Sequence, residues 1–327
     1  MKSLIGCLLL LFLSTVCICQ PETDLITTSK YFSFHNNSWM NLHHFFYERA
    51  SNRQRTHLQN DGEKFIELGD SLKIASLSAH DKIIFDQGVK FYKEKIIDQA
   101  LLNSGRIFKW LQAQPHNNKI IDTTYSKEFT QMLNKLDPIY KKHFWAKHQA
   151  HNEKLVDDYI VLIRNLEDEI ISKMENLSGY QWKDSVRIDI TTYGNWAGAY
   201  SPSLNNIVIS SIDPLMHSSL FIEFVFHESS HLLFLRNSPF RQALNTAAEK
   251  LSVDQPRNLW HAAMFYLSGM ATKDALLAHD IDHGMIMERK GVFSTYFKDA
   301  DFKRILNNYY DTTIDLNAMA TELLQLK

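Results

Sequence analysis

Residues 224–234 read FVFHESSHLLF, and the reading of this stretch decides what kind of chain this is. Leu220, Phe221, Phe224, Val225, Leu232 and Leu235 supply apolar positions at helical spacing. Ser218 or Ser219 can cap the start, and Asn237 and Pro239 stop the run, which predicts a helix over about 219–236. On it His227 and His231 stand one turn apart, so both imidazoles project from one side and can share a tetrahedral ion. Glu228 is one step round from His227. There it can flank an open coordination position without ligating and act as a base towards water.

A chain with 15 histidines produces this five-residue pattern by accident in roughly a few per cent of cases. The context argues against accident. The motif lies within an otherwise apolar helix, where two unpaired histidines and a glutamate are costly to bury without a purpose. Just upstream, VRIDITTY (186–193) alternates and is β-branched, and so reads as a strand. GNWAGAYSPSLNNIVISS then gives a Gly/Ser/Pro/Asn turn and a second strand over Asn206–Ser211, ended by Asp213-Pro214.

With its His-Glu-x-x-His motif, this segment resembles the zincin metallopeptidases. GAYSPSLNNIVISS is similar to the strand–turn–strand that precedes the active-site helix in the neprilysin and thermolysin type. That resemblance implies a gluzincin-like fold, one Zn2+ ion, and a substrate-pairing role for Gly198, Ala199 and Tyr200. Gly198 stands where that family has Asn. The similarity covers roughly residues 186–236, and only the metal motif is specific. The wider pattern, from NLHHFFYERA through NWAGAY to LWHAAMFYLSG, also looks like a group of bacterial HExxH proteins.

A catalytic zinc takes three protein ligands and keeps one position open, so a third ligand is required. The metzincin extension fails, because Phe234 and Asn237 occupy its Gly and His positions. The Glu-x-x-x-Asp signature fails as well, with Val253 in the Asp position after Glu249. His261 is the preferred ligand, early in a helix whose Ala262 and Ala263 allow close packing on the motif helix. Glu249 and Asp254 are the alternatives. An all-histidine set leaves more positive charge at the ion and makes a bound water more acidic. Tyr266, Tyr200 and Tyr193 are candidates for stabilising an oxyanion, with Tyr266 preferred because it shares the helix of His261.

The chain of 327 residues carries a formal charge of −2, too small to suggest a nucleic-acid partner. Its N-terminus reads as an export signal over residues 1–19, with Lys2, the apolar run LIGCLLLLFLSTV and a cut after Cys19. An uncleaved anchor or a lipid on Cys17 or Cys19 are the alternatives. All three cysteines, Cys7, Cys17 and Cys19, lie there, so any metal site in the mature chain is built from His and carboxylates. Asn36 and Asn176 begin Asn-x-Ser sequons. From about 28 to 178 the apolar spacing is helical almost throughout. The paired histidines His43/His44 and His148/His151, at adjacent and i,i+3 positions without a neighbouring constellation of carboxylates, read as core or surface residues in preference to a second metal site.

The expected fold is α+β and mostly helical, with a helical domain over 20–180 and a zincin-like domain with a small sheet over 181–327. The expected function is an exported (periplasmic or secreted) zinc hydrolase acting on peptides or proteins, with Glu228 as general base. The alternatives are a non-catalytic zincin-like binding module, or a zinc hydrolase of a non-peptide amide or ester.

Overall fold

The structure, a computed structural model, describes residues 24–51, 68–115, 118–195, 197–291, 293–297 and 300–326. The expected export signal and the three cysteines lie outside the described residues. Near the N-terminus come β1 (Leu25–Thr28) and β2 (Phe32–His35), followed by α1 (Ser38–Ser51), α2 (Leu68–Ala75) and α3 (Ala79–Lys95). A 3-10 turn at Leu101–Asn103 leads into α4 (Gly105–Gln112). Next is α5 (Lys127–Tyr140), joined through a π turn at Lys141–Trp145 to α6 (Ala146–Ser178). Then follow β3 (Val186–Thr191), β4 (Ala199–Ser203), β5 (Asn206–Ser210) and a 3-10 turn at Pro214–His217. The remaining helices are α7 (Leu220–Ser230), α8 (Pro239–Leu251), α9 (Leu259–Leu277), α10 (Ile286–Lys290), α11 (Ser294–Phe297), α12 (Ala300–Tyr310) and α13 (Leu316–Leu324).

The strands form one five-stranded mixed sheet in the order β1-β2-β3-β5-β4. β2, β3 and β5 run parallel, while β1 and β4 pair antiparallel at the two edges. The period-2 pattern splits the side chains between two apolar cores. Ile188, Ile190, Ile207 and Ile209 pack with α6, α7, α8 and α9 on one face. Val208 and Tyr200 pack with α1, α3, α4 and α5 on the other. Each fully buried Ile, Leu or Phe contributes roughly 1.5–3 kcal/mol relative to exposure, so both layers stabilise the sheet strongly. The fold is therefore α+β and mainly helical, with helices covering both faces of a small sheet.

The expectation of helix from about residue 28 requires correction at its start, because Phe32–His35 is a strand. Phe32 and Phe34 alternate into the first core while Ser33 and His35 are half-buried. A four-residue alternation gains its conformation by pairing, here Phe32 with Val186 and Phe34 with Ile188. This pairing crosses position 180, as does the packing of Ile163 and Ile170 of α6 with Phe221 and Val225 of α7 in one core. A boundary at 180 runs through that sheet and that core. Among the described residues, no helix is long and apolar enough to cross a membrane.

Several polar groups buried in this arrangement are paired across elements, while others, among them His43 Nε2, Trp182 Nε1 and Glu223 Oε1, have no hydrogen-bond partner among the described residues. Asn152 on α6 donates to Asn36, Asn41 and the Ile190 carbonyl, joining α6 to α1 and β3. His43, His44 and His148 are core residues: His44 reaches the Met40 carbonyl and the Tyr200 hydroxyl, and His148 lies between Tyr140 and Asp70. Burial lowers the pKa of His44 to about 4, which keeps it neutral at pH 7.

Candidate functional site

The motif helix α7 is shorter than its apolar pattern predicts, ending at Ser230, with His231 at the C-cap still in right-handed helical geometry (φ −54°, ψ −26°). The hydroxyls of Ser229 and Ser230 both bond the Phe226 carbonyl. Such back-bonding competes with the backbone ladder. The next amides close tighter i→i−3 turns, Leu232 to Ser229 and Leu233 to Ser230. The one-turn relation between His227 and His231 survives, with ring centroids 5.6 Å apart.

α9 crosses α7 closely because Ala262 and Ala263 are fully buried and Gly269 leaves room for Glu223, whose Oε1 would lie 2.9 Å from a Cβ there. This packing brings in His261. Its ring centroid is 5.6 Å from that of His227 and 5.0 Å from that of His231. One nitrogen from each of the three rings lies within 4.8 Å of the others. Tetrahedral ligation at 2.0–2.1 Å sets ligand atoms about 3.3 Å apart, so an inward shift of under roughly 1 Å per ring closes the set on an ion. The Nε2 of His261 is buried and has no hydrogen-bond partner. A buried ring nitrogen without a partner is uncommon in a settled structure, and a cation among the three rings would satisfy it. Glu249 and Asp254, the alternative ligands, are both exposed and outside the cluster.

Aromatic rings enclose the triad. Phe265 stacks on His227 at 3.8 Å, Trp260 meets His231 edge-on at 6.0 Å, and Phe293 meets His261 edge-on at 5.2 Å. Burial, reinforced by the neighbouring imidazoles, drives His227 well below its usual pKa and His231 to about 3. Burial and then the Arg241 charge bring His261 to about 4. All three rings are therefore neutral at pH 7, the state in which imidazole ligates metals. The donor set has no thiolate and no carboxylate, which suits zinc or another borderline divalent ion.

Glu228 lies outside the ring cluster and is almost fully buried. The Ser201 hydroxyl on β4 donates to its Oε2 at 2.6 Å and lies 3.1 Å from its main-chain oxygen. β4 is the edge strand, and its start is fixed by Gly198. That residue has φ +83°, and a Cβ there would fall 2.2 Å from Asp213 Oδ2. The position thus excludes the Asn side chain found in the family that the sequence resembles. The Gly198 carbonyl accepts from the Ser210 amide, and Tyr200 pairs with Val208. Antiparallel alternation therefore turns the amide and carbonyl of Ala199 away from β5, towards the open edge. Ala199, Ser201, Glu228 and the three histidines line one cavity of about 720 Å3.

The tyrosines require correction. Tyr266 points away from the triad, its hydroxyl donating to Asn307 of α12 at 2.8 Å, and it does not line the cavity. At five residues past His261, helical geometry sets it about 140° round the axis. The hydroxyl of Tyr193 is bonded to Asp70 and that of Tyr200 to His44, both in the second core. None of the three hydroxyls is at the ring cluster.

Sequence alone does not mark Ser201 or Phe265 as part of the site, nor the buried pairing of Glu223 with His283. Phe265 lies four residues after His261 and so on the same side of the helix. Glu223 sits one turn before His227, with Oε2 accepting from His283 at 2.7 Å and from the Ile286 amide at 2.8 Å. This ties the segment carrying Ile286, which lines the cavity, to the motif helix. Compared with protein-family models, curated proteins and solved structures, the chain matches none.

Proposed function

We propose that this chain is an exported zinc-dependent hydrolase that cleaves peptide bonds, with His227, His231 and His261 holding one Zn2+ ion and Glu228 as general base. The observation that carries the reading is the convergence of three neutral imidazoles, one with an orphaned buried nitrogen, beside a buried carboxylate and the terminal strand of the sheet. When bound, such an ion supplies Lewis acidity, which polarises a carbonyl and acidifies water.

The chain's own groups do the rest. The outward amide and carbonyl of Ala199 pair with an extended substrate backbone and set its carbonyl against the cavity wall. Glu228 accepts a proton from the attacking water as its oxygen bonds to the carbonyl carbon. It returns that proton to the departing nitrogen as the C–N bond breaks, giving a carboxylic acid and an amine, and the acid's remaining proton passes to the amine to leave carboxylate and ammonium. Ser201 holds the carboxylate in one rotamer through both transfers. Phe265, Trp260 and Phe293 keep bulk water from the imidazoles, which strengthens electrostatic contacts in the site.

A non-catalytic binding module requires a fourth side chain closing the coordination sphere; among the described residues the cluster has three. The test is Glu228→Gln in the zinc-loaded protein assayed against a peptide library. The expected result is retained zinc with turnover lost. Normal cleavage by that variant would remove Glu228 as the base.

A further inference from the structure

The cavity of about 720 Å3 has walls of very uneven chemistry. Its polar groups gather at the histidines, Glu228, β4 and the flanking Asn195 and Asp213. The remainder is apolar: Leu101 and Leu102 come from the turn before α4, Leu204 from the β4–β5 hairpin, and Phe265, Ile286 and Phe293 from the C-terminal half. Leu102 and Leu204 are 52% and 53% exposed, so each presents a bare apolar face at the cavity. The turn carrying Leu102 is seated directly on the edge strand, since a Cβ at Gly105 would lie 2.8 Å from the Pro202 carbonyl oxygen. Leu102 therefore has a fixed place beside β4.

Among the described residues that line it there is no Lys or Arg, and the two carboxylates there already have partners. Glu228 accepts from Ser201, and Asp213 accepts from the Leu215 amide at 3.1 Å. A substrate carboxylate on the apolar wall would lose its hydration with no cationic side chain to receive it. A substrate ammonium would lose its hydration to two carboxylates that are already bonded. An apolar group meets neither cost and gains burial.

Resting on the hydrolase reading above, we propose that the substrate places an uncharged, apolar group beside its scissile amide. The surface made by Leu102, Leu204, Phe265, Ile286 and Phe293 receives it. Leu102 and Leu204 determine this specificity from the rim. The apolar group is an amino-acid side chain or an acyl chain, and the two share the same chemistry at this wall.

The experiment uses straight-chain alkyl hydroxamates, which chelate zinc and require no turnover, titrated calorimetrically into the zinc-loaded full chain. Affinity is expected to rise about fourfold for each added methylene that is fully buried, from acetohydroxamate to octanoylhydroxamate. The double variant Leu102→Ser/Leu204→Ser is expected to flatten that slope. Both positions are half-exposed, and circular dichroism verifies that the variant is folded. Binding without dependence on chain length overturns this inference and leaves the metal-site reading standing. Absence of zinc and of all hydroxamate binding overturns both. By activity, matched peptides with Leu or Asp beside the scissile bond are expected to differ about ten- to a hundredfold in kcat/KM, and parity overturns the inference. Cleavage of N-octanoyl-leucine in preference to the Leu peptide identifies the acyl source, and the reverse preference identifies the side chain.

Discussion

The Ser201 hydroxyl donates to the Glu228 carboxylate at 2.6 Å, joining the edge strand to the motif helix. A carboxylate on a helix samples several rotamers unless something holds it. This bond selects the one that borders the cavity. Ser201→Ala is expected to lower kcat about ten- to a hundredfold, the range of a lost hydrogen bond to a charged group. KM and zinc affinity should change little, and Ser201→Thr should recover most of the rate. Steady-state kinetics on the three proteins test this, and an unchanged kcat in the Ala variant removes the role.

His261 is the proposed third ligand, the one that the sequence alone leaves open. His261→Ala is expected to weaken zinc binding by more than about a hundredfold, beyond what loss of an outer-shell partner costs. Glu249→Ala and Asp254→Ala should leave affinity unaltered, since both side chains are exposed and apart from the cluster. Competition against a chelating dye measures all three. A large loss in either carboxylate variant would point to a different site.

The depressed histidine pKa values set a direction for apoprotein stability. Unfolded histidine titrates near 6.5, whereas folded His231 and His261 titrate at about 3 and 4. Between those values the unfolded chain binds more protons, so stability falls as pH falls. Stability should be insensitive to these rings above about pH 6.5 and decline from there towards pH 4. Each ring contributes on the order of 1 kcal/mol per pH unit over that window. Urea unfolding of the apoprotein at a series of pH values measures the slope, and His261→Leu should reduce it. An unchanged slope in that variant would contradict the assignment.

Gly198 combines φ +83° with a 2.2 Å approach of the Asp213 carboxylate to its absent Cβ. Gly198→Ala is expected to destabilise the protein by at least about 1–3 kcal/mol through backbone strain alone. It should also move β4. A shifted urea midpoint with lowered activity is the expected pair of readings, and a variant of native stability would show that the turn can relax.

Sequence exposed those parts of the site whose geometry is local. Two histidines one helical turn apart keep their relation in any fold that forms the helix, and β3 and β5 carry enough β-branched residues to declare themselves. His261 was reachable because Ala262 and Ala263 announce close helix packing. β2 was not, because four residues of alternation become a strand only through pairing with Val186–Asp189, some 150 residues away. Ser201 was hidden for the same reason, since its partner lies on another element. Tyr266 illustrates the opposite error: sharing a helix with His261 does not place two side chains on one face, and its register sends it to Asn307.

The most direct measurement is anomalous diffraction at the zinc edge from crystals of the full chain grown with Zn2+. The account predicts a single peak bounded by His227, His231 and His261, about 2.0–2.1 Å from one nitrogen of each. The fourth position should be open to the cavity, and Glu228 should lie nearby without ligating. No peak among these rings, or a peak whose fourth ligand is a protein side chain, would contradict it.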